Sequence, residues 1–178
     1  IEMEGTYPLP EAQLDRFIFK LRVKYPDLAE LNAILDRTTQ TEANSVRRVM
    51  DGPGVLSYRD LIRDVPIASH VRDFATRIVM STHPEWQEAP EISRRIVRYG
   101  ASPRGAQAMV LGAKARALMQ GRYNVSIDDI EALAQPSLRH RIILNFAGES
   151  EGVSSDELIT QIVSRARKSM EHDLRKSA

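Results

Sequence analysis

GASPRGAQAMVLGAKARALMQG, residues 100–121, reads as one long helix with its start and its stop written in. Ser102 can accept hydrogen bonds from the first free backbone N–H groups. Pro103 suits the first helical position, where its missing N–H would be unpaired anyway. Gly100 loosens the approach, and Gly121 stands where a glycine commonly closes a helix. Between them Ala106, Met109, Val110, Leu111, Ala113, Ala117 and Leu118 fall almost all round the axis, which predicts a central helix buried on most sides. Arg104 is the anomaly. It lies in the first turn, where the helix dipole already presents partial positive charge, so a cation there requires an anion nearby.

Working outward, further helices are expected on both sides. Asp27 with Glu30 forms an acidic capping box ahead of Leu28, Leu31, Ile34 and Leu35 at helical spacing. Ser57 to Val65 reads as helical, and Ile67 to Thr82 carries Ile67, Val71, Phe74, Ala75 and Ile78 on one stripe. A helix is expected from Pro90 through Ile92, Ile96 and Tyr99, with Gly100 as its stop. Another opens at Ser126-Ile-Asp-Asp129 and is interrupted by Pro136, and a last one opens at Ser154. Arg37 to Gly54 is expected to be a loop, because it is polar and ends in the dense breaker Asp51-Gly-Pro-Gly54. Residues 166–178 read as a solvated basic tail.

One strand is expected. Phe17, Phe19, Leu21 and Val23 alternate with Ile18, Lys20, Arg22 and Lys24, a largely period-two pattern ended by Pro26. A lone strand leaves its backbone groups unpaired, so residues 1–25 are expected to be disordered, displaced or paired with another molecule. The fold class is therefore mainly α, a helical bundle with one N-terminal β-strand whose sheet partners are missing from this chain. The expected division is 1–25, 26–90, 91–165 and 166–178.

Composition narrows the function. The chain has 178 residues, 42% of them hydrophobic, enough to bury a core. Its 25 Lys and Arg against 24 Asp and Glu give a net charge of +1, so no global field favours nucleic acid or an anionic membrane. With no cysteine and four scattered histidines, no metal site built from side chains is expected. No membrane-spanning run or signal-peptide pattern is present, and a cytoplasmic location is expected. The chain starts at Ile1 with turn chemistry already under way at Glu4-Gly5-Thr6, and it reads as a fragment.

Three stretches carry a family resemblance. Tyr7-Pro-Leu-Pro-Glu-Ala-Gln-Leu-Asp-Arg-Phe17, with Glu4-Gly5-Thr6 before it, closely resembles the segment of MoxR-type AAA+ ATPases that follows the sensor 1 asparagine. GASPRGAQA at 100–108 resembles their sensor 2 motif. Val125 to Ala134 followed by Leu138-Arg-His-Arg-Ile142 is similar to their helical lid. The resemblance covers roughly residues 2–25 and 91–163, the C-terminal portion of such an ATPase. Walker A, Walker B and sensor 1 have no counterpart in these 178 residues, which alone are not expected to hydrolyse ATP.

The resemblance implies site residues. Arg16 would be the arginine finger, acting in trans on the nucleotide of a neighbouring subunit, although an exposed arginine paired with Asp15 or Glu11 is the plainer alternative. Arg104 would be sensor 2, contacting the γ-phosphate, with Ser102 and Pro103 shaping the nucleotide-binding turn. Its alternative is a solvent arginine paired with Glu91 or Asp128. Arg139, His140 and Arg141 read as a solvated helix end. Family membership further implies ATP and Mg2+ in the full-length protein, though none bound to this fragment. It also implies a ring of identical subunits, a hexamer, and chaperone-like remodelling or maturation of partners that contain a von Willebrand factor A domain. No membrane or nucleic-acid partner is implied. From a different class, the chain could be a non-enzymatic helical module that binds protein or nucleic acid, because the 103–120 and 126–135 helices resemble a helix-turn-helix.

Overall fold

The computed structural model describes the backbone of residues 9–39 and 46–177, with side chains as far as His172. Glu4-Gly5-Thr6, Tyr7 and Pro8 lie outside the described residues. Among the described residues the order is α1 (Glu11–Leu14), α2 (Leu28–Thr38), α3 (Gly52–Asp64), α4 (Ser69–Met80), α5 (Glu91–Ile96), β1 (Val97–Tyr99), α6 (Pro103–Met119), α7 (Ile127–Leu138), β2 (Ile143–Leu144), α8 (Phe146–Ser150) and α9 (Ser155–Ser177). The chain is mainly helical, as its patterning predicts.

Side-chain caps explain where most helices begin. Asp27 accepts the Glu30 N–H at 2.8 Å while Glu30 accepts the Asp27 N–H at 3.0 Å. Ser126 with Asp129 and Ser154 with Glu157 make the same reciprocal arrangement ahead of α7 and α9. Asp51 corrects the expected loop: its carboxylate accepts the Gly54 N–H at 2.9 Å, so Asp51-Gly-Pro-Gly54 is the cap and first turn of α3. Pro53 is tolerated there because a first-turn N–H has no intrahelical partner.

The described residues divide into two compact units, 9–20 with 62–177, and 21–39 with 46–61. In the smaller unit, α2 keeps Leu28, Ile34 and Leu35 exposed and buries no residue.

In the larger unit α6 packs on α7 and α4, and α9 packs on α4 and α7. Phe74 and Ile78 of α4, Met109 of α6, Ile130 and Leu138 of α7, and Leu158, Ile159 and Ile162 of α9 are completely buried in one core. The central position expected for α6 is observed: from Gly105 to Leu118 only Gln107 is exposed. Gly121 ends it with φ +70, a left-handed conformation that a Cβ would disfavour.

Four local expectations are corrected. Phe17 to Lys24 form no strand; residues 17–20 hydrogen-bond to the end of α7 and the residues after it, and the Phe19 ring fills the space above Gly112 of α6. Val23 is left 93% exposed. The expected Pro90–Tyr99 helix stops at Ile96, where the chain extends into β1 and pairs antiparallel with β2, Val97 opposite Leu144 and Tyr99 opposite Ile143. Pro136 does not break α7, which runs on through it for two further residues to Leu138. The tail continues α9 as helix, with Ala166 buried and Met170 against the core.

Candidate functional site

The start of α6 is pinned before it is charged. The Ala101 N–H donates to the Thr82 hydroxyl at 2.9 Å, and His83 Nε2 lies 3.0 Å from the Ala101 carbonyl. Gly100 makes this approach possible, since a Cβ there would stand 2.8 Å from the Thr82 carbonyl oxygen and from His83 Cγ. Gly100 is needed for closeness rather than looseness, which corrects its expected role.

Ser102 then caps the helix by accepting the Arg104 N–H at 3.2 Å, with Pro103 at the first helical position. The anion that Arg104 requires is Asp15. Ser102 Oγ donates to Asp15 Oδ1 at 2.7 Å, and Arg104 Nη1 donates to Asp15 Oδ2 at 3.3 Å. A third donor, Arg141 Nε, reaches Asp15 Oδ1 at 3.1 Å. Burial works against the charge on Asp15, but Ser102, Arg141 and Arg104 together outweigh it and hold the carboxyl below its ordinary range. Two guanidiniums face one carboxylate, so the cluster keeps an uncompensated positive charge, and half of the Arg104 side chain is open to solvent.

Arg141 is the structural centre of the cluster, and its side chain is 2% exposed. Besides Asp15 Oδ1 it donates to the carbonyls of Asp15 (2.9 Å), Phe17 (2.6 Å), Ile18 (3.2 Å) and Ser137. Burial lowers its pKa and Asp15 opposes that effect. His140 Nε2 lies 2.9 Å from the Phe17 carbonyl and Arg139 Nη1 donates to the Lys20 carbonyl at 3.0 Å, while the Lys20 N–H donates to the Pro136 carbonyl at 2.9 Å. The triplet Arg139-His140-Arg141 is therefore a clasp for residues 15–20 rather than a solvated helix end.

Among the expected site residues, Ser102, Pro103 and Arg104 share this helix start. Arg16 follows Asp15 directly, and its exposed guanidinium has no hydrogen-bond or ion-pair partner among the described residues. Neither alternative pairing for the two arginines is formed: Asp15 turns to Arg104 and Arg141, and Asp128 pairs with Arg167 at 3.2 Å. Asp15 and Arg141 went unassigned from sequence. A first-turn cation that needs an anion points to an acidic partner without saying which, and nothing local marks Arg141 as buried.

Comparison with known proteins agrees with this architecture. The AAA lid domain family matches residues 89–162. An uncharacterized Bacillus subtilis protein, YeaC, is 33% identical over 94% of this chain and 50% of its own length. A Mycobacterium tuberculosis protein named Chaperone MoxR1 is 32% identical over 92% of this chain and 43% of its own length. A crystal structure of a candidate ATPase from Cytophaga hutchinsonii superposes with a TM-score of 0.86 at 34% identity, over 92% of this chain and 50% of that one. The chain thus spans about half the length of the curated relatives it matches.

Proposed function

This chain belongs to the MoxR-type AAA+ family, and we propose that in the full-length polypeptide it is the part that reads nucleotide phosphate. At the start of α6, in the nucleotide-binding turn shaped by Ser102 and Pro103, Arg104 receives the γ-phosphate of ATP held with Mg2+. Arg16 reaches the nucleotide of a neighbouring copy in a ring, a hexamer. The observation that carries this reading is that the Ser102 hydroxyl and the Arg104 guanidinium, both at the start of α6, converge on a single anionic group, Asp15. Donors gathered at a helix start suit phosphate, and a guanidinium placed against a transferring phosphoryl group stabilises charge in the transition state. Arg16, exposed and without a partner among the described residues, suits a residue that acts outside its own subunit.

Hydrolysis then drives chaperone-like remodelling or maturation of partner proteins, including those with a von Willebrand factor A domain, in the cytoplasm. The name of the M. tuberculosis relative supports the chaperone role, and no helix among the described residues is long and apolar enough to cross a membrane. The helix-turn-helix alternative is disfavoured because Arg116 and Arg122, which flank the α6–α7 turn, are both committed to the buried Asp129 at 2.7 and 2.6 Å.

The test is ATP turnover by full-length protein. Arg16→Ala and Arg104→Ala are each expected to lower kcat, the former by about 10³-fold or more. Mixing the two variants restores activity where Arg104 serves its own subunit and Arg16 the next. Wild-type turnover in both single variants overturns the reading.

A further inference from the structure

Resting on the reading of Arg104 as a phosphate-contacting residue, we propose that Asp15 is an exchangeable counter-ion: Arg104 leaves the Asp15 carboxylate to take phosphate and returns to it when phosphate departs. Asp15 is then a positioning residue, one that keeps Arg104 at the α6 start while the phosphate position is empty.

The contacts around Asp15 divide into a fixed set and a labile one. Arg141 is fixed. It is buried, and it also binds the backbone carbonyls of Asp15, Phe17 and Ile18. With His140 on Phe17, Arg139 on Lys20, and Lys20 on Pro136, segment 15–20 is anchored through its backbone without help from the carboxylate. Arg104 is the labile partner. It makes one contact to Oδ2 at 3.3 Å, the longest around the carboxylate, and its side chain is half exposed. An ion pair this open contributes little and costs little to break. A phosphate group brings more negative charge than a carboxylate and offers several acceptor oxygens to the same guanidinium. While Arg104 moves, Ser102 Oγ and Arg141 Nε keep Asp15 in place. The carboxylate then stands beside the arriving phosphate as a like charge, so it weakens phosphate binding even as it orients the arginine. The next residue is Arg16, so the exchange takes place one residue from the proposed finger.

The test is a titration of the 178-residue chain with inorganic phosphate at fixed ionic strength, followed by NMR of the Arg104 Nε–H and the Asp15 carboxyl carbon. In the wild type both signals are expected to move together, while the Arg141 Nε–H keeps its bond. Asp15→Asn, which retains an oxygen for Ser102 and Arg141, is expected to bind phosphate about two- to fivefold more tightly, the range of an exposed ion pair. Arg104→Ala abolishes the response. A purely structural Asp15 would give the opposite sign, weaker binding in Asp15→Asn. An unchanged or weakened affinity in Asp15→Asn overturns the exchange and leaves the role of Arg104 standing, as does a wild-type titration in which Arg104 moves and Asp15 does not. No phosphate response at Arg104 in either protein overturns both.

Discussion

At the scale of single residues, His140 reports on whether the 15–20 segment is in place. Its Nε2 must carry the proton to donate to the Phe17 carbonyl, and its Nδ1 is buried with no partner among the described residues. Burial disfavours the charged ring, the Phe17 carbonyl pulls the other way, and repulsion from Arg141 and Lys20 leaves the pKa below its ordinary 6.5. The unfolded chain therefore takes up a proton that the native state refuses. Stability is expected to be complete above pH 6.5 and to fall as the pH drops below it, levelling off once the native ring also titrates. His140→Gln keeps a donor for Phe17 and removes this slope, which urea unfolding at pH 7.5 and 5.5 measures. An equal pH dependence in both proteins would sink the assignment. Asp15 and Arg141 teach a related lesson: their chemistry is written in the sequence, but their partners lie 87 to 126 residues away.

At the scale of elements, α6 depends on its neighbours for its aim. The Thr82 and His83 bonds to Ala101 set where the helix starts, and Gly100 permits the contact. Gly100→Ala would push a Cβ to 2.8 Å from the Thr82 backbone oxygen, which no rotamer change relieves. We expect a cost of about 1–3 kcal/mol, typical of overpacking, and a displaced Ser102 cap. Wild-type stability in urea would show that the turn relaxes freely. Helix starts were legible because a cap such as Asp27 with Glu30 is closed within four residues. The β1–β2 ribbon was not legible: Val97 finds Leu144 only after α6 and α7 have folded between them.

At the scale of the whole molecule, the buried core cluster lies between Val65 and Met170, and from outside it the Phe19 ring adds a contact on α6. Without residues 15–20, however, Arg141 loses four of its five acceptors: Asp15 Oδ1 and the carbonyls of Asp15, Phe17 and Ile18. Residues 62–178 alone are expected to keep the bundle's helical content but to be less stable than the whole chain by about 2 kcal/mol, the scale of hydrogen bonds to a charged group. Arg141→Ala should then be costly in the whole chain and nearly free in the shortened one; equal effects in urea unfolding would remove the clasp from the account. By itself, the sequence determined most of the helices, the caps at Asp27, Ser102, Ser126 and Ser154 and the centrality of α6, because periodicity and capping act over a few residues. Only the tertiary structure decided that Phe17 to Lys20 would leave strand geometry for the clasp of Arg139, His140 and Arg141, and that the anion facing Arg104 is Asp15. Backbone groups without a ladder and a buried guanidinium take whatever partners the packed bundle brings within reach, and no local pattern encodes that meeting.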